Sequence, residues 1–199
     1  MRAGPRRTPA QLPRLDCVAV DRSGDALRRV ADHDWWHTIE VAPGVVTPGG
    51  WDLRPTAARI PWPASLEGLR CLDVGTMDGF WAFELERRGA REVLAIDLAD
   101  PARQDAPRPG RGSPGRPTPP ERLRGASFRT AAELRGSRVA YEDLSVYDLS
   151  PAEVGHFDLV FVGYVLQLVR DPLRARHALG VLGRSVALRA TVAGRDASH

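Results

Sequence analysis

The feature that most constrains the fold is the stretch RCLDVGTMDGFW at residues 70–81. An apolar run ends at Gly75, a short loop containing two glycines follows, and aromatic residues resume at Phe80. A run that is apolar at successive positions is typical of a strand buried on both faces, as in a parallel sheet covered by helices. A strand, a glycine loop and a helix in this order favour an open α/β sheet.

Strands and helices are predicted to alternate after this loop. Strands are expected at 70–75, 91–98, 137–144, 157–163 and 184–192, and helices at 79–88, at 127–136 and from Pro172 onward. Gly89 is the expected stop of the first of these helices, and Glu84 and Arg88 are spaced to pair on its wet face. The pattern predicts an α/β fold with a Rossmann-like open, mostly parallel sheet and helices on both faces.

The chain divides into three predicted parts. Residues 1–14 form a Pro/Arg-rich basic tail that is expected to be disordered, and residues 15–69 form a cap segment of helical and extended pieces. Within the cap segment a helix is predicted from Ser23 as its N-cap, with Ala26, Val30 and Trp35 on the buried side. Residues 70–199 form the Rossmann-like domain, interrupted by a Pro/Arg-rich insertion at 101–125 that is expected to be flexible.

The basic charge lies in the parts that are least expected to fold. The net charge of the 199 residues is +3, the tail carries four arginines and no acid, and residues 101–129 carry seven arginines against two acids. The remaining residues therefore sum to −6, so the predicted folded surface has no evident basic face for nucleic acid. The chain contains no lysine, which excludes Schiff-base chemistry and a P-loop lysine.

Other residue types exclude further classes. Cys17 and Cys71 have no metal-ligand spacing, and neither do the five histidines, so no metal site is predicted. Cys71 is expected to be a small core residue. No apolar stretch approaches the roughly 18 residues that span a bilayer, and we expect a reduced, cytoplasmic protein without a membrane partner. A G-x-S-x-G elbow of serine hydrolases is absent from the sequence.

Three kinds of glycine loop compete for residues 73–80. A P-loop needs a lysine, and the dinucleotide fingerprint G-x-G-x-x-G would place Met77 and Phe80 at glycine positions, which disfavours an NAD(P)-dependent oxidoreductase. The acid-x-G-x-G-x-G loop of methyltransferases that use S-adenosylmethionine (SAM) fits Asp73, Gly75 and Gly79, with Met77 as its one departure. In that loop Asp73 would take the ammonium group of the methionine moiety, and loop N–H groups would meet its carboxylate.

Two further carboxylates follow later strands. Asp97 ends the second strand, where it can accept both ribose hydroxyls, although NAD enzymes share this placement. Asp148 lies just beyond the third strand, placed to accept the adenine amino group. Structural alternatives stay open, because Asp73 can cap the loop and Asp148 can cap a helix that begins near residues 150–151. Ligands in open α/β sheets bind outside the carboxyl ends of the strands, which favours a shared site.

Three stretches resemble a known family: LDVGTMDGFWAFELERRGAREVLAIDL, LSVYDLSP and FDLVFVGYVLQLVRDPLRA. They are similar to Rossmann-type SAM-dependent methyltransferases, and closest to proteins resembling the tRNA wobble-uridine (5-oxyacetate) methyltransferase. The upstream stretch WWHTIEVAPGVVTPGGWDLRP resembles the same group, and the likeness covers roughly residues 30–176. It implies that SAM is the cofactor and that the acceptor is a tRNA uridine derivative or a small metabolite. The cofactor-binding set it implies is Asp73, Gly75, Thr76, Gly79, Asp97, Leu98, Asp148 and Gly163, with Gly163 and Tyr164 at the opening toward the acceptor.

The 24 residues after DPLRA do not resemble the continuation seen in the family. The sheet is therefore expected to lack the usual C-terminal strands, as in a truncated product, and a non-catalytic SAM- or nucleotide-binding remnant stays an alternative. The insertion at 101–125 is a second departure, beside the ribose end of the second strand.

Methyl transfer is an in-line displacement that depends first on alignment, so it need not involve a base. Asn-Pro-Pro-Tyr motifs of amine methylation are absent after the fourth strand, which favours an oxygen acceptor. His37 is the best candidate base and Tyr164 can orient a substrate hydroxyl. The structural alternatives are that Trp35 and Trp36 pack the cap segment onto the sheet with His37 as a bystander, and that Tyr164 is a half-buried residue at the sheet tip. Gln167 and Asp171 either reach the acceptor or begin the next helix.

Overall fold

The computed structural model describes residues 22–100, 103 and 125–188. The predictions for the tail at 1–14 and for nearly all of the insertion at 101–125 lie outside these residues. In chain order the described elements are α1 (Arg22–Ala31), β1 (Glu40–Ala42), β2 (Val45–Val46), α2 (Arg54–Arg59), β3 (Arg70–Val74), α3 (Phe80–Arg87), β4 (Glu92–Asp97), α4 (Ala126–Arg135), β5 (Ala140–Asp143), α5 (Pro151–Val154), β6 (Phe157–Val162), a 3₁₀ turn (Val165–Gln167), α6 (Pro172–Gly180) and β7 (Gly183–Leu188).

The main sheet has five strands in the order β5-β4-β3-β6-β7, and every neighbouring pair is parallel. The chain moves outward from β3 to β5, returns to the other side of β3 for β6, and then moves outward again to β7. The strand order therefore reverses between β3 and β6. In open α/β sheets the crevice at this switch point is the usual ligand site, and the loop after β3 lies beside it.

Each face of the sheet carries its own apolar core. On one face, the cap segment and helices α3 and α4 bury a cluster that includes Trp35, Phe83 and Phe128. On the other face, α6 and the segment around α5 cover a cluster that includes Leu72, Val160 and Leu179. Successive residues of β3, such as 72 and 73, lie on opposite faces of the sheet. Because both faces are covered, the strand is apolar almost throughout.

Most predicted elements are confirmed with small shifts of their bounds. Gly89 follows α3 in a left-handed conformation, and Arg88 pairs with Glu84 at 2.8 Å. Helix α6 starts at Pro172, as predicted. Within the cap segment Ala26, Val30 and Trp35 are buried as expected, whereas Trp36 is 41% exposed and does not pack onto the sheet.

The structure differs from the sequence predictions in three places. Ser23 is not the N-cap of α1, because the helix already includes Arg22 and Ser23 lies inside its first turn. Helix α2 lies in the cap segment where the sequence predicts no helix, and it has Pro55 in its first turn, where proline is tolerated. The sheet is expected to lack the usual C-terminal strands, but a fifth strand, β7, is present. It pairs with β6 from Phe157–Gly183 to Val162–Leu188.

Two single-residue expectations can also be placed. Cys71 is fully buried, and burial raises the pKa of its thiol to about 11, as for an inert core residue. No helix among the described residues is both long and apolar enough to cross a bilayer.

Candidate active site

The glycine loop, residues 75–79, is fastened to the end of the neighbouring strand. The Gly75 and Thr76 amides both donate to the Ile96 carbonyl of β4, at 2.9 and 3.1 Å, and the Gly79 amide donates to the Thr76 carbonyl at 2.9 Å. The expectation that loop N–H groups face a ligand carboxylate is therefore wrong for these three amides. Met77 has a φ of 55°, a left-handed conformation that side chains rarely adopt, which explains why methyltransferase-like loops carry glycine there.

Two glycines of the loop are required by their surroundings. Gly75 has a φ of +75°, and a Cβ there would lie 2.1 Å from Cγ2 of Val165 in the 3₁₀ turn after β6. Gly79 has a φ of +99°, and its Cβ would lie 2.5 Å from Cε2 of Phe83. The positive φ and the missing side chain both matter, because they let the loop turn sharply between packed neighbours.

Asp73 is the most unusual group at this edge of the sheet. It is 1% exposed, and within the described chain neither of its carboxyl oxygens has a hydrogen-bond partner. Burial is the main cause that raises its pKa to about 7, and the Asp97 carboxylate raises it further. The Thr76 hydroxyl, the His37 ring and the Ala82 amide lower it, although neither of the two donors reaches hydrogen-bond geometry.

A buried carboxyl without a partner is destabilising, so its presence calls for an explanation in terms of a ligand. The Thr76 hydroxyl is likewise buried without a partner in the described part of the chain. These neighbouring oxygen atoms fit a cationic hydrogen-bond donor such as an ammonium group. Asp73 is therefore not a loop cap, since it accepts no loop amide.

Asp97 lies at the end of β4 and is 8% exposed. Its Oδ2 accepts the Met77 amide at 2.7 Å and its Oδ1 accepts the Leu98 amide at 2.7 Å. A carboxylate has about four acceptor positions, so one oxygen can accept more than one donor. Asp97 thus joins the glycine loop to the end of β4 through its carboxylate.

Asp148 follows β5, and its side chain is exposed to solvent. Ser150, not Asp148, occupies the N-cap position of α5, so the structural alternative for Asp148 is not seen. Asp73 and Asp97 lie close enough to interact electrostatically. Asp148 follows the third of the predicted strands as expected, but its side chain is exposed to water.

His37 lies against the glycine loop through Asp78. The Trp36 and His37 amides donate to Asp78 Oδ2 at 2.7 and 2.8 Å, and His37 Nδ1 contacts Asp78 Oδ1. Both side chains are buried, and the Phe80 ring lies 5.8 Å from the imidazole ring. Asp78 is not among the sequence-predicted site residues, because Asp-Gly at 78–79 is also a common turn pair.

The segment after β6 forms the other side of the site. A Cβ at Gly163 would lie 3.1 Å from the indole nitrogen of Trp81, so helix α3 packs closely against this glycine. Tyr164 is 47% exposed, and Gln167 is the exposed residue of the 3₁₀ turn. Asp171 caps α6 by accepting the Arg174 amide at 2.9 Å, which confirms the structural alternative for this residue.

Two surface cavities lie away from this edge of the sheet. One, of about 360 Å³, is lined by His156, Phe157 and residues 181–183 at the amino ends of β6 and β7. The other, of about 350 Å³, lies between residues 40–43 and α4. At the carboxyl edge, the Val165 side chain packs over Gly75 and closes the loop from the β6 side.

No family model matches the chain. Its sequence is 33% identical over 109 residues to the ubiquinone biosynthesis O-methyltransferase of Neisseria meningitidis serogroup C, covering 55% of this chain and 37% of the relative. It is 34% identical over 113 residues to the protein of the same name from Alkalilimnicola ehrlichii, covering 57% of this chain and 36% of the relative. The chain thus spans little more than a third of the length of these relatives.

Solved structures share the fold at low sequence identity. The N-terminal domain of EvdMO1, solved in the presence of SAH and D-fucose, matches with a TM-score of 0.58 and 21% identity, covering 83% of this chain and 63% of that one. The same domain with SAH bound gives a TM-score of 0.57 at 19% identity, with the same coverage. These likenesses confirm the predicted Rossmann-like α/β fold.

Proposed function

We propose that this protein is a SAM-dependent methyltransferase. The observation that carries the proposal is Asp73, a fully buried carboxyl without a hydrogen-bond partner among the described residues, beside a glycine loop at the switch point of the sheet. The names of the two sequence relatives and the SAH in the structures of similar fold support it. The alternatives are a non-catalytic SAM-binding remnant and, less favoured, an NAD(P)-dependent oxidoreductase.

The residues present fit the cofactor. Asp73 would accept its ammonium group, with the Thr76 hydroxyl beside it, and Gly75 and Gly79 would give the loop its sharp turn beside the methionine end. The Asp97 carboxylate at the end of β4 would receive the ribose hydroxyls, with Leu98 beside the nucleoside and Asp148 at the adenine amino group. Bound SAM supplies an activated methyl group on a sulfonium, and the protein aligns the acceptor with it.

The proposed acceptor is an oxygen nucleophile on a small molecule, with Gly163 and Tyr164 at the entrance. The relatives carry the name of O-methyltransferases. The formal charges of the chain outside its two basic stretches sum to −6. This negative charge opposes binding of a polyanion to that part of the chain. A tRNA uridine derivative stays an alternative acceptor, and methylation assays with bulk tRNA as substrate test it directly.

His37 is the proposed proton acceptor, and the exposed hydroxyl of Tyr164 is the proposed group that orients the acceptor. A general base contributes roughly 10²–10⁴-fold when the acceptor must lose a proton in the reaction. The position of His37 against the glycine loop supports this role, and a hydrogen-bonded bystander stays the alternative.

Calorimetric titration of the full chain with SAM and, separately, with NAD tests the proposal. We expect SAM to bind and NAD not to bind, because Met77 and Phe80 occupy glycine positions of the dinucleotide fingerprint. NAD binding without SAM binding would favour the oxidoreductase, and SAM binding without methylation of any hydroxyl acceptor would favour the remnant.

Asp97→Ala is expected to weaken SAM binding at least about tenfold, because it removes charged hydrogen bonds to the ribose and frees the Met77 amide. Asp52→Ala is the matched control, since Asp52 is an exposed carboxylate paired only locally with Arg54. Equal SAM affinity of the two variants would contradict the ribose contact, provided that both melt near the temperature of the wild type.

A further inference from the structure

Asp78 contacts three nitrogen atoms of one short piece of the cap segment. Its Oδ2 accepts the backbone amides of Trp36 and His37, and its Oδ1 faces His37 Nδ1. Asp78 is 2% exposed, so these contacts satisfy a buried carboxyl group that would be costly without partners. The cap segment and the glycine loop are thus joined at one carboxylate.

We propose that Asp78 is a positioning residue that holds His37 with its proton on Nδ1 and its Nε2 lone pair toward the cofactor site. An ionised carboxylate only accepts hydrogen bonds, so a neutral imidazole facing it must donate from Nδ1. Nε2 is then the only ring nitrogen able to take a proton. The inference deepens the proposed function and rests on it for the role of His37.

The backbone of His37 is also held by its neighbours. The His37 carbonyl accepts the Thr47 hydroxyl at 2.7 Å, and Gly49 approaches so closely that a Cβ there would lie 2.0 Å from the His37 carbonyl carbon. The Phe80 ring lies beside the imidazole, with the two ring centroids 5.8 Å apart. The His37 ring also acts electrostatically on Asp73, which places it near the proposed ammonium site.

This arrangement serves the transfer of a methyl group to a hydroxyl that loses its proton. The acceptor hydroxyl gives its proton to His37 Nε2 as its oxygen forms a bond to the methyl carbon of SAM. The sulfur–methyl bond breaks with its electron pair left on sulfur, which gives a methyl ether and SAH. The proton on Nε2 then passes to water, and His37 returns to the tautomer that Asp78 holds.

Asp78 can have two roles, anchoring the backbone of the cap segment and setting the tautomer of His37, and a substitution separates them. In Asp78→Asn the amide oxygen can still accept the Trp36 and His37 amides, but the NH₂ group is left facing Nδ1 as a donor. The imidazole must then place its proton on Nε2 and present no acceptor to the site. A purely structural role of Asp78 predicts no such change.

The test is long-range ¹H–¹⁵N NMR of the histidine rings in the full chain, with His37 assigned from the spectrum of His37→Gln. We expect the wild type to carry the proton on Nδ1 and Asp78→Asn to carry it on Nε2, with His33 as the control ring because its partner is the Thr130 hydroxyl. A wild-type His37 with its proton on Nε2 would overturn the proposal, and this measurement stands even if Asp78→Asn fails to fold. An unchanged tautomer in a folded Asp78→Asn would overturn it as well.

Addition of SAM separates this inference from the proposed function. We expect SAM to shift the Nε2 resonance of wild-type His37 and to leave His33 unchanged. If calorimetry shows that SAM binds and the His37 resonance does not move, His37 does not face the site and its role as a base fails. If SAM does not bind at all, the proposed function fails, and the tautomer measurement still decides whether Asp78 sets the ring.

Discussion

At the scale of single residues, the site is organised around a carboxyl whose burial opposes folding. Asp73 lies inside the sheet with a pKa of about 7, and within the described chain nothing donates a hydrogen bond to it. Such groups persist where function requires them, because a less strained residue would fold better. Asp73 therefore links the stability of the protein to its proposed ligand.

The stability of the ligand-free protein is expected to fall as the pH rises from about 4 to about 7. The folded pKa of Asp73 is raised to about 7 from 3.8, so the folded chain keeps a proton that the unfolded chain releases in this interval. The full shift corresponds to about 4 kcal/mol. Urea denaturation at several pH values should show that Asp73→Asn, which carries no titrating group there, loses less unfolding free energy over this interval than the wild type.

The same titration predicts the pH dependence of SAM binding. An ammonium group requires the ionised carboxylate, so apparent affinity should drop up to about tenfold per pH unit below pH 7 and level off above it. Asp73→Asn should bind SAM weakly, with little of this dependence. A wild type whose Kd is the same at pH 5.5 and pH 8 would show that Asp73 does not receive the ammonium group.

Asp73 and Asp97 can be chosen from the sequence because each occupies a fixed place in a strand-loop pattern that the structure reproduces. Asp78 cannot be chosen in this way. Its partners lie 41 and 42 residues earlier in the chain, and only the packing of the cap segment brings them to the loop. The bonds of Gly75 and Thr76 to Ile96 escape prediction for the same reason, since they depend on the register of β4 beside β3.

At the scale of elements, the glycine loop and α3 form one packed unit. Gly79 is the N-cap of α3 with a φ of 99°, and its α-carbon faces Phe83 and Phe128, which stack with ring centroids 5.3 Å apart. The start of the helix is therefore pressed against the aromatic core that also holds α4. Alternating apolar segments predict these elements, but not this close approach.

Gly79→Ala is expected to lower the free energy of unfolding by about 1–3 kcal/mol more than Gly68→Ala. Both glycines have a positive φ, so alanine introduces a similar backbone strain of about 1 kcal/mol at each. Only at Gly79 would the new Cβ meet other atoms, at 2.5–2.8 Å, whereas Gly68 has open space. Chemical denaturation of the two variants measures the difference, and equal losses would show that the aromatic rings yield without strain.

Sequence patterns locate elements better when the elements are periodic. The four strands β3, β4, β5 and β6 are predicted within a few residues because each is an apolar or alternating run bounded by turn residues. Helix α2 has only 6 residues, too few to show helical periodicity, and it is missed. Strand β7 is expected from its own residues but doubted from the family resemblance, and here the local pattern is the better guide.

At the scale of the whole molecule, the two cores lie on opposite faces of the sheet, and β3, β4 and β6 each contribute residues to both. The carboxyl end of β3 carries the proposed site, while its amino end carries the residue that ties three strands together. This residue is Arg70, whose side chain donates to Glu92 at 2.7 Å and to the Val154 and His156 carbonyls at 2.7 and 3.0 Å. Its backbone amide donates to Asp158 of β6 at 2.9 Å.

Arg70→Ala is expected to lower the free energy of unfolding by about 2–3 kcal/mol. The guanidinium joins β4 and the segment before β6 to β3, and it lies 4.2 Å above the Phe157 ring, so its loss removes hydrogen bonds and packing together. Arg70→Lys should recover little, because an ammonium group lacks the planar set of donors that reaches a carboxylate and two carbonyls at once.

Arg54→Ala is the matched control for this prediction. Arg54 also pairs with a carboxylate at 2.7 Å, but its partner Asp52 is two residues away and both side chains are largely exposed. An exposed local pair of this kind contributes at most about 1 kcal/mol. Urea denaturation of the three variants should therefore separate Arg70 from Arg54. Equal losses for Arg70→Ala and Arg54→Ala would mean that the strands of this sheet are held by their backbone ladders and their two cores, without help from the arginine at its amino edge.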